Sequence, residues 1–198
     1  MTPSVKELVL KIDEELRELP VRTIPNERKI RREYSRLLKN ENPALIFNLA
    51  SELKDKCRYH VFAYELIANH KNAFKSIGET ELEVLGKGMD SWWSVDVFAR
   101  TLSGPAWLKG QVSDELIHKW AKSEDLWWRR AALVSTVALN MRSQGGMGDT
   151  TRTLFRSAPC WLMTRKTWWL RRCPGRCVLW LCMTLMRWVP FYLSMKTF

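Results

Sequence analysis

Two clusters in the chain hold the side chains whose types and spacing could do chemistry. In Ser91-Trp92-Trp93-Ser94-Val95-Asp96, Trp92 and Asp96 stand four residues apart, so on a helix an indole and a carboxylate project from one face. Such a pair can hold a developing cation: the ring face attracts positive charge, and the carboxylate stabilises it or orders a water. The plainer reading makes Trp92 or Trp93 a core residue and Asp96 a solvated charge, since most tryptophans are largely buried. In Trp127-Trp128-Arg129-Arg130, Arg130 lies three positions after Trp127 and shares its face. Arg129 points about 100° away from Arg130. A guanidinium suits two-point phosphate binding, so Arg130 is the stronger phosphate candidate and Arg129 the weaker. The plainer alternative pairs both arginines with Glu124 and Asp125.

The elements that must position these residues read as helices. Val5, Leu8, Val9, Ile12 and Leu16 recur at three- and four-residue spacing, which describes one buried helix face closed by Pro20. Similar stripes predict helices over about 26–39, 43–56 and 59–74, then one beginning near Glu79 and breaking at Gly86 and Gly88. Asp90 or Ser91 can cap the helix that carries Trp92 and Asp96, and Gly104 with Pro105 is expected to end it. Ser113 and Ser123, each followed by two acids, start helices running through Trp120 and to about Met141, with negative charge favourable at the first turn. The pattern is all-α. It suits either a superhelical array of HEAT-like helix pairs or an irregular helical bundle.

The order and spacing of Ser91-Trp92-Trp93-Ser94-Val95-Asp96, Trp120-Ala121-Lys122-Ser123 and Trp127-Trp128-Arg129-Arg130-Ala131-Ala132 resemble the central signature of the AlkD-type DNA alkylation repair family. The resemblance is most specific over about residues 88–140, diffuse over 1–87, and fades after about 154. Some members carry one more residue between the paired tryptophans and the Val-Asp step. The choice of Trp92 over Trp93 therefore rests on the four-residue offset to Asp96. The resemblance implies a HEAT-like superhelix whose basic concave face holds duplex DNA containing alkylated purines. It implies a base-excising glycosylase acting as a monomer without metal or organic cofactor, with Asp96 catalytic and Trp92, Trp93, Arg130 and Arg129 at the DNA. From the chemistry, a purine alkylated at N3 or N7 is already cationic and leaves without a general acid. A carboxylate that stabilises the sugar cation and places a water is then enough.

The formal net charge of +11 gives little independent support, because of where it sits. Residues 1–150 hold 23 Lys and Arg against 21 Asp and Glu, whereas residues 151–198 hold nine and none. The N-terminal segment is charged and amphipathic, without a signal-peptide core, so an intracellular, reducing compartment is expected. His60, His70 and His118 show no ligand spacing and read as surface or packing residues. Gly145-Gly146-Met147-Gly148 lacks the Lys-Ser/Thr of a phosphate loop and reads as a turn.

Composition divides the chain into a helical-repeat domain over 1–150, incomplete as it stands, and a Trp-, Cys- and Arg-rich tail over 151–198. Cys173 and Cys177 lack a second ligand pair for zinc, and the apolar run from Cys177 to about Ser194 is interrupted by Arg187 and Pro190. An out-of-frame origin fits better. Read from each codon's third base, Met163-Thr164 and Met183-Thr184 must each encode Asp, and Trp168-Trp169 must encode Val. The permitted codons across Trp161 to Val178 include Lys-Ala-Leu-Ser-Trp-Ala-Leu-Arg. This string resembles a later AlkD-family segment that supplies a second DNA-contacting Trp and an Arg. Without that segment the chain would lack one wall of the implied DNA cleft.

Overall fold

The computed structural model describes residues 4–140, and their regular structure is entirely helical. The readings of Gly145 to Asp149, of Cys173 and Cys177, of the apolar run and of the 151–198 tail lie outside the described residues.

Helix α1 (Val5–Arg17) opens on a capping box between Ser4 and Glu7 and buries Leu8, Val9, Ile12 and Leu16, the face its spacing required. Helix α2 (Ile24–Leu37) is capped by Thr23, and α3 (Pro43–Cys57) by Asn42 with proline at its first position, where a missing N–H costs nothing. The single helix expected over 59–74 is two, α4 (His60–Asn69) and α5 (Lys71–Lys75), parted at His70 with φ −97° and ψ 105°. The cause is a side chain: His70 Nδ1 accepts the Ala73 N–H at 3.0 Å. A histidine thus does the capping work ordinarily left to Ser, Thr, Asp or Asn.

Every residue of α4 from Val61 to Ile67 is buried, as expected of a helix enclosed on all sides. It packs against α2, α3 and α5. Helix α6 (Glu79–Gly86) precedes Gly88, whose φ of +81° is a left-handed turn suited to glycine. Helix α7 (Trp92–Phe98) also lies on α4.

Gly104 and Pro105 do not end that helix. The backbone passes through a π turn (Ala99–Ser103) into α8 (Gly104–Leu108), with Gly104 helical at φ −62°, ψ −51° and its N–H bonded to the Ala99 carbonyl five residues back. Proline breaks a helix by lacking an N–H and by pressing on the carbonyl four residues earlier. A turn widened by one residue re-aims those carbonyls and accommodates the ring. Glycine is needed for a separate reason, because a Cβ at 104 would lie 2.8 Å from the carbonyl oxygens of both Ala99 and Ser135. Helix α9 (Asp114–Ala121) follows its Ser113 cap, and α10 (Leu126–Asn140) packs against α7, the π turn, α8 and α9. Ser103 and Ser135 hydroxyls meet at 2.6 Å in this contact, and Ser135 donates onward to the Ala131 carbonyl. The result is an all-α fold of paired helices, consistent with a HEAT-like repeat array. No described helix is long and apolar enough to cross a membrane.

Candidate active site

The site starts at the first turn of α7. Ser91 caps it, its hydroxyl accepting the Ser94 N–H at 3.3 Å while Ser94 Oγ donates to the Ser91 carbonyl. Val95 and Phe98 anchor the buried side of the helix. Trp92 and Trp93 emerge from the opposite side, 46% and 37% exposed, with their rings edge to face at 5.7 Å and 87°. Neither indole fills the core, so the plainer reading of this pair does not hold.

Helix α10 supplies the other half. Asp125 Oδ1 accepts the Trp127 N–H at 2.7 Å, fixing the helix start. Trp128 then turns inward against Trp120 at 4.8 Å and Phe98 at 6.2 Å. The space it enters exists because residue 86 is glycine: a Cβ there would lie 2.4 Å from Trp128 Cη2. With Trp128 wedged between α6, α7 and α9, the next turn of α10 is locked in register against α7.

That register brings Arg130 to Asp96 across 34 residues of sequence. Arg130 Nε donates to Oδ1 at 2.7 Å and its terminal nitrogen to Oδ2 at 2.9 Å, the parallel two-point geometry that gives such pairs their directionality. The side chains are 29% and 15% exposed, so the carboxylate is largely withdrawn from water while the guanidinium keeps an open edge. Asp96 is therefore neither a free surface charge nor a member of a metal cluster. Among the described residues, no three His, Cys, Asp or Glu side chains are grouped to hold a metal ion.

Of the residues singled out by sequence, Asp96 and Arg130 are brought into contact, and Trp92 and Trp93 open the same helix as Asp96. Arg129 is placed differently. Its terminal nitrogen donates to the Ser123 and Glu124 carbonyls at 2.7 and 2.6 Å, so it ties down the turn before α10. Neither arginine takes the carboxylate of Glu124 or Asp125.

A family model described as DNA alkylation repair enzyme matches residues 17–173. The chain belongs to that family. Comparison with curated proteins and with solved structures gives no match. The matched stretch in this DNA alkylation repair family member covers α2 to α10, including every residue of the site, and continues past residue 154. Three supporting residues escaped the sequence reading: Gly86, Phe98 and the inward-facing Trp128. Gly86 looked like a helix terminator, yet its lack of a side chain also makes room for Trp128. Only the contact with a residue more than forty positions away reveals that second role.

Proposed function

We propose that this chain is a DNA glycosylase that hydrolyses the N-glycosidic bond of N3- or N7-alkylated purines in duplex DNA, with Asp96 as its catalytic carboxylate. In the reaction the C1′–N bond breaks, its electron pair neutralises the cationic base, and a water oxygen bonds to C1′ and releases its proton. Asp96 stabilises the cationic sugar and orients that water. Trp92, with Trp93 beside it, offers a π face to the cationic base or sugar, a contact worth about 0.5–2 kcal/mol.

The single observation that carries the reading is the two-point Asp96–Arg130 pair beside exposed indoles, in a member of a DNA alkylation repair family. A guanidinium has five N–H donors, so those not directed at Asp96 are left for a phosphate flanking the lesion. Arg130 in this role aims the carboxylate through its two-point contact while it binds the backbone. Arg129 acts at one remove, by fixing the turn that presents α10. The enzyme works on DNA inside the cell. The acid-free composition of residues 151–198 supports an out-of-frame origin for the tail, into which the family match extends as far as residue 173, and sequencing of the locus tests this directly.

The assay follows release of 7-methylguanine from duplex DNA by this chain, by a version with the tail frame restored, and by Asp96→Asn in each. Loss of one preorganised electrostatic contact costs on the order of 10²–10³ in rate, and that loss is expected of Asp96→Asn. Equal release by Asp96→Asn and its parent overturns the assignment. Salt-sensitive DNA binding without base release, in both parent forms, identifies a non-catalytic helical-repeat binding module instead.

A further inference from the structure

The positive charge of the helical body is concentrated in one place that the active site does not use. From Arg22 to Lys39 there are seven Lys and Arg against two Glu, whereas the rest of residues 1–150 has sixteen Lys and Arg against nineteen Asp and Glu. This stretch is α2 and its flanks. Three of its cations have partners: Arg22 pairs with Glu27 at 2.7 Å, and Arg28 and Arg31 share Glu65 of α4 at 2.6 and 3.5 Å. The other four, Lys29, Arg32, Arg36 and Lys39, are exposed and make no ion pair or side-chain hydrogen bond with any described residue. Three- and four-residue spacing places Lys29, Arg32 and Arg36 along the face of α2 opposite the buried Ile30 and Tyr34, Lys39 stands in the turn that follows the helix, and Glu33 is the one acid between residues 29 and 39.

Folding alone does not favour this arrangement. Burial and the like charges of Arg32 and Arg28 push the Arg31 guanidinium below its ordinary value, so the helix repels itself even where Glu65 compensates. An anionic partner along the outward face would relieve that repulsion.

We infer that the outward stripe of α2 and the turn after it, formed by Lys29, Arg32, Arg36 and Lys39, is a lesion-independent contact for the phosphate backbone of duplex DNA. The choice of DNA as partner rests on the proposed function, but three physical features favour it. Lys29 to Arg36 spans about 10 Å of helix, along which one strand of a duplex presents about three phosphates. The one aromatic ring of α2, Tyr34, is buried, so the helix itself offers no ring on which unpaired bases could stack. The apolar face that a membrane-surface helix would insert into lipid is here buried in the protein.

The test measures binding of the full-length chain to an undamaged duplex of arbitrary sequence between 50 and 200 mM salt. It compares the parent with a variant carrying Lys29→Gln, Arg32→Gln, Arg36→Gln and Lys39→Gln, and with Glu33→Gln alone. If all four cations meet phosphates, the slope of log affinity against log salt falls in magnitude by about 3.6. The parent's advantage then shrinks roughly a hundredfold across that salt range. Glu33→Gln tightens binding, and the four-site variant, relieved of self-repulsion, melts no lower than the parent. Single-turnover release of 7-methylguanine at saturating protein stays unchanged. An unaltered salt slope overturns the inference, as does a defect confined to anionic phosphatidylserine vesicles. If the slope falls but the parent releases no base, the stripe stands and the glycosylase reading fails. If Asp96→Asn abolishes release while the slope is unmoved, the reverse holds.

Discussion

Gly86→Ala asks whether the wedged ring of Trp128 sets the register of the site. A methyl group at 86 would lie 2.4 Å from Trp128 Cη2, 3.0 Å from Cζ3 and 3.2 Å from Phe98 Cζ, where carbons ordinarily rest about 3.5–4.0 Å apart. Trp128 must move by more than about 1 Å to accept it, yet Trp120 and Phe98 flank the ring. Overpacking of this kind costs about 1–3 kcal/mol. Against it stands the helical preference for alanine over glycine, at most about 1 kcal/mol and less at the last residue of a helix. The expected net effect is a destabilisation of about 0.5–2 kcal/mol, read by urea denaturation followed through tryptophan fluorescence. Because Arg130 is two residues beyond Trp128, base release falls as well. Trp128→Phe removes the colliding part of the ring, so in the Gly86→Ala background it costs less than in the parent, a coupling of at least about 0.5 kcal/mol. If Gly86→Ala instead stabilises the protein, and the two changes simply add, Trp128 does not fix α10 through this contact.

Two further outcomes follow from the same geometry. Arg130→Lys keeps the charge but not the planar fork, so it lowers the rate of base release at saturating DNA more than it weakens binding, whereas equal losses in both would leave Arg130 a simple phosphate contact. His60 titrates against folding. Burial, and then the charges of Arg58 and Lys54, hold its imidazole below the ordinary value of 6.5, and neither ring nitrogen has a hydrogen-bond partner among the described residues. The unfolded chain therefore binds the proton more readily, and stability declines as pH falls from 6.5 toward the lower folded value. In denaturation between pH 7 and pH 5, His60→Phe has a shallower decline, and an unchanged slope counts against this origin.

Local rules made much of the fold legible. Ser91 and Ser113 cap the helices they were expected to cap, and the stripes of α1 and α3 face the core, because each feature depends on neighbours within one or two turns. The readings that needed correction turn on less ordinary local contacts. His70 parts α4 from α5 by accepting an N–H through its ring nitrogen, a role that propensity does not assign to histidine. Gly104 and Pro105 carry a strong stop signal, and only the π turn before them, pressed against α10, makes that signal misleading. At the site, the spacing of Trp92 and Asp96 marked both as candidates, but a one-dimensional pattern could not pair Asp96 with Arg130. Nor could it separate Arg130, which reaches Asp96, from Arg129, which reaches back to two carbonyls. Both arginines sit on one turn of helix, and the distinction comes from the side toward which Trp128 is driven.

The π turn also determines how one helix addresses another. In an unbroken α-helix, positions 96 and 104 would be offset by about 80° around the axis, and one surplus residue rotates the second back by about 100°. The two positions then lie nearly in line, so Asp96 can meet Arg130 while Gly104 comes up against Ser135 and Ala138 of the same partner. The surplus residue acts like a leap day, absorbing the mismatch between the helical repeat and the distance over which α10 must be followed. The number of residues between Asp96 and Gly104 is thereby pinned at both ends. Substitutions there can be absorbed, but a gain or loss of a single residue would set the carboxylate and the close helix contact at odds.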